Sequence, residues 1–293
     1  MPAAALHDVL SAAAARLRDA GLAADDAAAD VDVLARHVLG WDRARLLARR
    51  RDAIPASFAE PFGALVDRRV DRVPVAYLTG TREFYGLDFE VTADVLIPRP
   101  ETELIVDAAL EALALPGSRG RVVDVGTGSG CIAVALATTR PDAAVIAIDR
   151  SRAALAVARR NARRHGVAGR IALVAGDLAT ALVPRQAIDV LVSNPPYVPD
   201  GSPDVAVDVA RHEPVAALYA GPDGLDVVRR LIVDAAALVR PGGRLILEIG
   251  AGQAEIVASA AAAAGAWTAA VFRMDLQGIA RMAIFSRTAA GSR

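Results

Sequence analysis

The chain has 293 residues, a formal net charge of −1 and a hydrophobic fraction of 54%, which allows one large or two ordinary folded domains. The near-zero net charge provides no overall positive field that would attract nucleic acid. Its single cysteine, Cys131, excludes an internal disulfide, and its four histidines are too scattered to predict a metal site. Polar residues interrupt the N-terminal stretch, so we expect neither a signal peptide nor a membrane span, but a soluble cytoplasmic protein.

Residues 1–72 are predicted to form a small, wholly helical domain. Leu10 and Leu17 belong to an apolar pattern of helical spacing that stops at Gly21, and a second such pattern covers Asp25 to Leu39. Two further helices are expected in the remainder of this segment. Because no catalytic pattern occurs in it, we interpret the domain as a module that docks a substrate.

The segment 73–95 is predicted to be a β-hairpin that links the helical domain to the rest of the chain. Aromatic residues gather there around Gly80 and Gly86, and β-branched valines follow. The remaining segment, 96–293, carries the patterns of an α/β domain.

From residue 121 the pattern becomes strand, glycine-rich turn, helix and strand, which is typical of a doubly wound α/β fold. Asp149 ends the second of these strands, about 20 residues after the turn, where a carboxylate can accept hydrogen bonds from ribose hydroxyls. Asp177 follows a third strand and is a candidate acceptor for an adenine amino group. The turn consists of Gly126, Thr127, Gly128, Ser129 and Gly130.

The glycine spacing in this turn is Gly-x-Gly-x-Gly, whereas dinucleotide-binding enzymes use Gly-x-Gly-x-x-Gly. The difference disfavours a dehydrogenase. It favours a nucleoside ligand without a pyrophosphate group, such as S-adenosylmethionine.

A short apolar strand, Asp189 to Ser193, is followed by Asn194, Pro195, Pro196 and Tyr197. Two consecutive prolines fix φ and donate no backbone hydrogen bond, so the strand must end in a rigid turn. The side-chain oxygen of Asn194 and the Pro195 carbonyl can accept both hydrogens of a planar NH2 group, while the Tyr197 ring lies against its face. We therefore predict Asn194, Pro195 and Tyr197 as catalytic residues, and all four residues as the substrate site. The reacting group is an amide, or the amino group of adenine or guanine.

The loop from Pro199 to His212 contains too many polar and helix-breaking residues to predict regular structure, and we expect it to close over the substrate. A helix is predicted from Leu225 to Val239 and a strand from Arg244 to Ile249. After one more helix, two strands are expected to form a closing antiparallel hairpin.

These motifs together resemble the HemK/PrmC family of methyltransferases, which modify the glutamine of the Gly-Gly-Gln loop in peptide chain release factors. The similarity runs from about Arg69 to Arg281. The motifs that carry it are Pro74 to Gly80, Glu83 to Leu87, Leu96 to Glu103, Asp124 to Ala133, Ser193 to Tyr197, Glu213-Pro214 and Glu248 to Gly250.

The resemblance implies a Rossmann-like class I methyltransferase sheet with a C-terminal antiparallel hairpin, preceded by the helical domain and the hairpin linker. It places S-adenosylmethionine along the glycine turn, its ribose at Asp149, its adenine at Asp177 and Leu178, and its reactive end beside Asn194. The implied partner is a class I release factor, with no nucleic-acid substrate, and we expect a monomer. Two alternatives stay open: an RNA or DNA amino-group methyltransferase, and a non-catalytic protein that binds S-adenosylmethionine.

Overall fold

The computed structural model describes residues 5–185 and 187–289. The chain divides into two compact units, of which the first comprises residues 1–81 together with 206–212 and the second comprises 82–205 together with 213–293. Each unit has its own hydrophobic core. No helix among the described residues combines the length and the apolar character that a membrane crossing requires.

The α-helices are α1 (Leu6–Asp19), α2 (Ala24–Leu39), α3 (Arg43–Ala48), α4 (Ala59–Val70), α5 (Val75–Thr79), α6 (Glu103–Leu113), α7 (Cys131–Thr139), α8 (Arg152–Arg164), α9 (Val207–His212), α10 (Asp226–Leu238) and α11 (Ala254–Ala264). The strands are β1 (Thr81–Phe84), β2 (Leu87–Glu90), β3 (Arg121–Val125), β4 (Ala144–Asp149), β5 (Ile171–Ala175), β6 (Ile188–Ser193), β7 (Val239–Glu248), β8 (Val271–Met274) and β9 (Ala280–Ser286). Short 3-10 turns lie at Pro100–Thr102, Ala168–Arg170 and Val215–Ala217.

The first unit consists of α1 to α5 and α9 packed around buried leucine, valine and phenylalanine side chains. Its buried Arg69 donates to Asp30 at 2.7 Å and to Asp208 at 2.6 Å, and Arg72 donates to the other oxygen of Asp208 at 2.6 Å. Burial raises the pKa of Asp30, an effect that the hydrogen bond from Arg69 opposes. These ion pairs hold α9 to helices that precede it in the chain by more than a hundred residues.

The second unit is built on a seven-stranded sheet, counted within the described residues, in the order β5-β4-β3-β6-β7-β9-β8. The first five strands in that order are parallel, while β9 runs antiparallel to both β7 and β8. The chain moves outward from β3 to β5 on one side and then returns to place β6 on the other side of β3. This reversal opens a crevice at the carboxyl ends of the central strands, where ligands bind in such sheets.

Alternating side chains of the central strands enter two cores. Val122 and Val190 face the core that α6 and α7 cover, whereas Val123, Leu191 and Leu245 face the core under α10 and α11. Since helices cover both faces of the sheet, the central strands have nearly continuous apolar sequences. The predicted fold class is confirmed: a mixed sheet with an antiparallel C-terminal hairpin follows a helical region.

Three predicted elements differ from the structure. Residues 75–79 of the predicted hairpin linker form α5, and the hairpin itself comprises only β1 and β2. The loop from Pro199 to His212, predicted to lack regular structure, contains α9. Local sequence does not predict the ion pairs of Arg69 and Arg72 with this helix. Strand β7 begins at Val239 rather than Arg244, because its register against β6 shifts between Ile188 and Val190 and so accommodates the Pro-Gly-Gly segment.

Candidate active site

The carboxyl ends of four parallel strands bring the predicted site residues to one edge of the sheet. The glycine turn follows β3, Asp149 ends β4, Asp177 and Leu178 follow β5, and Asn194 follows β6. A cavity of about 330 Å³ opens there, within the range of small-molecule sites. Its walls include all of these residues except Gly130.

The turn between β3 and α7 is pinned to the neighbouring strand. The backbone N–H groups of Gly126 and Thr127 both donate to the carbonyl of Ile148, at 2.8 and 2.9 Å. Gly130 does not line the cavity but precedes α7 with φ +80°, and a Cβ there would lie 3.0 Å from the Cβ of Ala158. Its role in the structure is therefore to let α7 start close to α8.

Asp149 is fixed by two backbone donors. Its Oδ2 accepts from the N–H of Gly128 at 2.9 Å, and its Oδ1 accepts from the N–H of Ser151 at 2.8 Å. Each carboxylate oxygen has a further lone pair, so the half-buried group can also accept from a pair of ligand hydroxyls. These residues therefore fit the ribose of a nucleoside ligand.

The wall after β5 combines a charged and an apolar group. Asp177 accepts from Arg230 at 2.6 Å, and both side chains are about half exposed on the cavity wall. Leu178 adopts φ +51°, which is strained for a residue with a side chain. The strained conformation places an apolar residue on the cavity wall at the predicted adenine position, and the contact of Asp177 and Leu178 with adenine stays a prediction.

Asn194 lines the cavity, and its side chain is held by a series of two hydrogen bonds. Its Nδ2 donates to the Thr102 hydroxyl at 3.0 Å, and that hydroxyl donates to Oε2 of Glu248 at 2.7 Å. Thr102 lies at the end of the turn that precedes α6, and Glu248 is the last residue of β7. Both are buried, with exposed fractions of 2% each. Neither residue was predicted as part of the site.

Tyr197 and Pro195 lie beside the cavity rather than on its wall. The Tyr197 hydroxyl donates to Oε1 of Glu248 at 3.2 Å, and its backbone carbonyl accepts from Nε2 of Gln253 at 2.9 Å. Pro196 lines the cavity together with Asn194. The structure thus brings the four residues together but leaves the stacking role of Tyr197 a prediction.

Burial of carboxyl groups dominates the electrostatics of this edge. Burial raises the pKa of Glu248 from 4.5 to about 7, although hydrogen bonds from Thr102 and Tyr197 act in the opposite direction. Burial likewise raises the pKa of Asp124 to about 7, against a hydrogen bond from the Thr127 hydroxyl at 2.6 Å. Both groups change charge close to neutral pH.

The segment Pro98-Arg99-Pro100 forms a corner beside the cavity. Pro98 lines the cavity, and Arg99 donates to Oε1 of Glu213 at 2.5 Å. The buried Glu213 also accepts from the backbone N–H of Ile97 at 3.1 Å. The ion pair fixes the corner against the segment that returns from α9. Among the described residues, no group of three or more side chains is arranged to hold a metal ion.

Comparison with known proteins identifies the family. A model described as the PrmC N-terminal domain matches residues 8–80, and one described as the methyltransferase small domain matches residues 102–212. The release factor glutamine methyltransferase of Burkholderia pseudomallei (strain K96243) is 45% identical over 258 residues, which is 87% of this chain and 90% of the relative. The chain belongs to the release factor glutamine methyltransferase family.

Other members of this family are similarly close. The release factor glutamine methyltransferase of Moorella thermoacetica is 48% identical over 235 residues, covering 78% of this chain and 82% of the relative. The one from Gloeobacter violaceus is 42% identical over 269 residues, covering 90% and 92%. The resemblance inferred from the motifs is confirmed, and this member of the family is a methyltransferase.

Solved structures support the fold alone, since their identities to this chain are low. The hMettl16 catalytic domain has a TM-score of 0.58 at 16% identity and covers 85% of this chain and 94% of its own. The T. thermophilus 16S rRNA methyltransferase RsmC has a TM-score of 0.51 at 20% identity, covering 71% and 50%. This family member therefore shares its sheet with other methyltransferases, and its fold implies S-adenosylmethionine as the methyl donor.

Proposed function

We propose that this protein methylates the side-chain amide nitrogen of the glutamine in the Gly-Gly-Gln loop of class I peptide chain release factors, with S-adenosylmethionine as donor. The observation that carries the proposal is the place of Asn194, which lines the nucleoside-sized cavity and stands at the start of a rigid Pro-Pro turn. Family membership gives the substrate class.

The cofactor is proposed to lie along the glycine turn, with its ribose at Asp149 and its adenine beside Asp177 and Leu178. S-adenosylmethionine supplies a methyl group that its positively charged sulfur already activates. The chain's own task is therefore orientation and exclusion of water rather than strong acid or base catalysis.

The substrate amide is proposed to be held by acceptors. Oδ1 of Asn194 and the Pro195 carbonyl accept the two amide hydrogens, and the Tyr197 ring covers the amide plane. Held between these two acceptors, the amide nitrogen would be aimed at the methyl group that bound S-adenosylmethionine would supply, and one of the two amide protons would be lost after the transfer. That proton is lost more readily after alkylation, so no base has to remove it beforehand.

We propose a class I release factor as partner, a monomeric enzyme, and action in the cytoplasm, where translation terminates. Residues 1–72 are proposed to dock the factor, residues 73–95 to link the domains and residues 96–293 to carry the methyltransferase activity. The separate hydrophobic core of the helical unit supports a docking function distinct from the methyltransferase domain.

The test is transfer of labelled methyl from S-adenosylmethionine to a purified release factor and to the same factor with Gln→Ala in its Gly-Gly-Gln loop. Label on the first and none on the second is the expected result. Asn194→Ala should abolish most turnover while S-adenosylmethionine binding stays measurable. Label on neither factor, with label on RNA or DNA, would replace the proposal by a nucleic-acid methyltransferase, and no transfer at all would favour a binding protein.

A further inference from the structure

We infer that Thr102 and Glu248 are positioning residues that set which end of the Asn194 amide faces the substrate. The inference rests on the proposed function, in which Asn194 must present its oxygen to an NH2 group. A side-chain amide rotated by half a turn would present its own NH2 instead, and two donors would then face each other. Something must therefore hold the amide in one orientation.

The orientation of the Asn194 amide is fixed by which group donates and which accepts in each hydrogen bond from Tyr197 and Thr102 to Glu248 and from Asn194 to Thr102. An ionised carboxylate can only accept, so Glu248 receives the Tyr197 hydroxyl proton at Oε1 and the Thr102 hydroxyl proton at Oε2. The Thr102 hydroxyl has one proton, which is thereby committed, and offers only lone pairs to Asn194. Asn194 must turn its NH2 toward Thr102, as the 3.0 Å contact shows, and its Oδ1 is left for a ligand.

The burial of Thr102 and Glu248 strengthens their hold on the orientation of the Asn194 amide. Thr102 and Glu248 are each only 2% exposed, so the loss of a hydrogen bond at either one is costly. The two residues lie 146 positions apart in the chain, Thr102 just before α6 and Glu248 at the end of β7. The series of hydrogen bonds thus ties the Asn194 amide to the end of strand β7, as a preorganised site requires.

The charge of Glu248 depends on its surroundings. Its pKa is raised to about 7, chiefly by burial and to a smaller extent by Glu101, against the lowering effect of the hydrogen bonds from Thr102 and Tyr197 and of Arg281, which is paired with Asp275 at 2.9 Å. The neighbouring Cys131 thiol is held neutral by burial, which raises its pKa to about 12. Above pH 7 the carboxylate therefore accepts from both hydroxyls. Once protonated at lower pH it can donate, and the order of donors along the chain is no longer fixed.

The activity test compares Thr102→Val with Thr102→Ser in methyl transfer to a release factor at pH 8. Thr102→Val removes the hydroxyl at equal size and is expected to lower kcat about 100-fold, while KM and the Kd for S-adenosylmethionine change by less than about threefold. Thr102→Ser keeps the hydroxyl and should retain at least about a third of kcat. Equal kcat for wild type and Thr102→Val would overturn the inference.

A matched control removes a nearby buried hydroxyl outside the chain of bonds. The Ser193 hydroxyl donates its proton to the carbonyl of Val125, at 2.7 Å. Ser193→Ala should lower the unfolding midpoint yet keep kcat within about threefold. A loss of kcat equal to that of Thr102→Val would mean that any cavity at this strand end impairs the enzyme, which contradicts a specific positioning role.

A second measurement needs no methyl acceptor, so it separates failure of this inference from failure of the proposed function. The side-chain NH2 signals of Asn194 are assigned in ¹⁵N-labelled protein by their loss in Asn194→Asp. In the wild type they should shift with a midpoint near pH 7, and in Glu248→Gln that titration should vanish. Titration that persists in Glu248→Gln would come from another group and would overturn the coupling.

Discussion

Replacing Glu248 by Gln should change the stability of this protein in a strongly pH-dependent way. The folded-state pKa of Glu248 is about 7, against 4.5 for the ordinary group, because burial disfavours the charge. The folded state therefore binds the proton more tightly than the unfolded state, so the wild type loses stability as pH rises from about 4.5 to about 7. Glutamine carries no such charge and escapes this loss.

The size of the effect follows from the two pKa values. Linkage between pH 5 and pH 8 gives a gain of about 2 to 3 kcal/mol in the unfolding free energy of Glu248→Gln relative to wild type. Any constant cost of the new amide, including a lost hydrogen bond to Thr102 or Tyr197, cancels in this comparison of two pH values.

Urea unfolding of the wild type and of Glu248→Gln at pH 5, 6, 7 and 8 measures this difference in unfolding free energy. The charge of Asp124 titrates in both proteins and cancels to first order. The surface variant Glu255→Gln makes the same chemical change on an exposed side chain, and its difference from wild type should vary by less than about 0.5 kcal/mol over the range. A difference for Glu248→Gln that is equally flat would refute the claim that a buried, titrating carboxyl supports Asn194.

Three further predictions concern other parts of the molecule. Gly130→Ala should destabilise by about 1 to 3 kcal/mol in urea unfolding, because its φ is +80° and its Cβ would press on α8, whereas Gly63→Ala within α4 should be neutral or stabilising. Asp149→Asn should raise the Kd for S-adenosylmethionine at least about 10-fold by calorimetry, and an unchanged Kd would remove the ribose role. Arg69→Met should cost about 2 kcal/mol or more, since it leaves Asp30 without its guanidinium partner and Asp208 with Arg72 alone, and a thermal midpoint within about 1 °C of wild type would contradict this.

Local sequence patterns are sufficient to predict most strands of the sheet. The strand that ends at Ser193 could be predicted because an apolar run precedes two prolines, and the glycine turn because Asp149 follows it at the end of the next strand. The order of these motifs along the chain also placed them at one sheet edge, since parallel strands share their carboxyl ends.

The missed parts depend on contacts between distant residues. Helix α9 is too short and follows too many helix-breaking residues to be visible locally, and it is held by ion pairs to Arg69 and Arg72. Thr102 and Glu248 both lie in motifs that carry the family resemblance, but nothing in the local sequence assigns either residue a place in the site. Their joint support of Asn194 appears only when α6 and β7 are adjacent.

The discontinuity of the helical unit limits how it can be exchanged among relatives. Cutting the chain after residue 81 would give a piece that keeps Arg69 but lacks Asp208, and with it one of the two carboxylates that neutralise this buried guanidinium. A chimera that takes residues 1–81 from one relative therefore needs the matching residues 206–212 as well. Because two separate stretches of the gene encode this unit, substitutions in one stretch should be accompanied by compensating substitutions in the other.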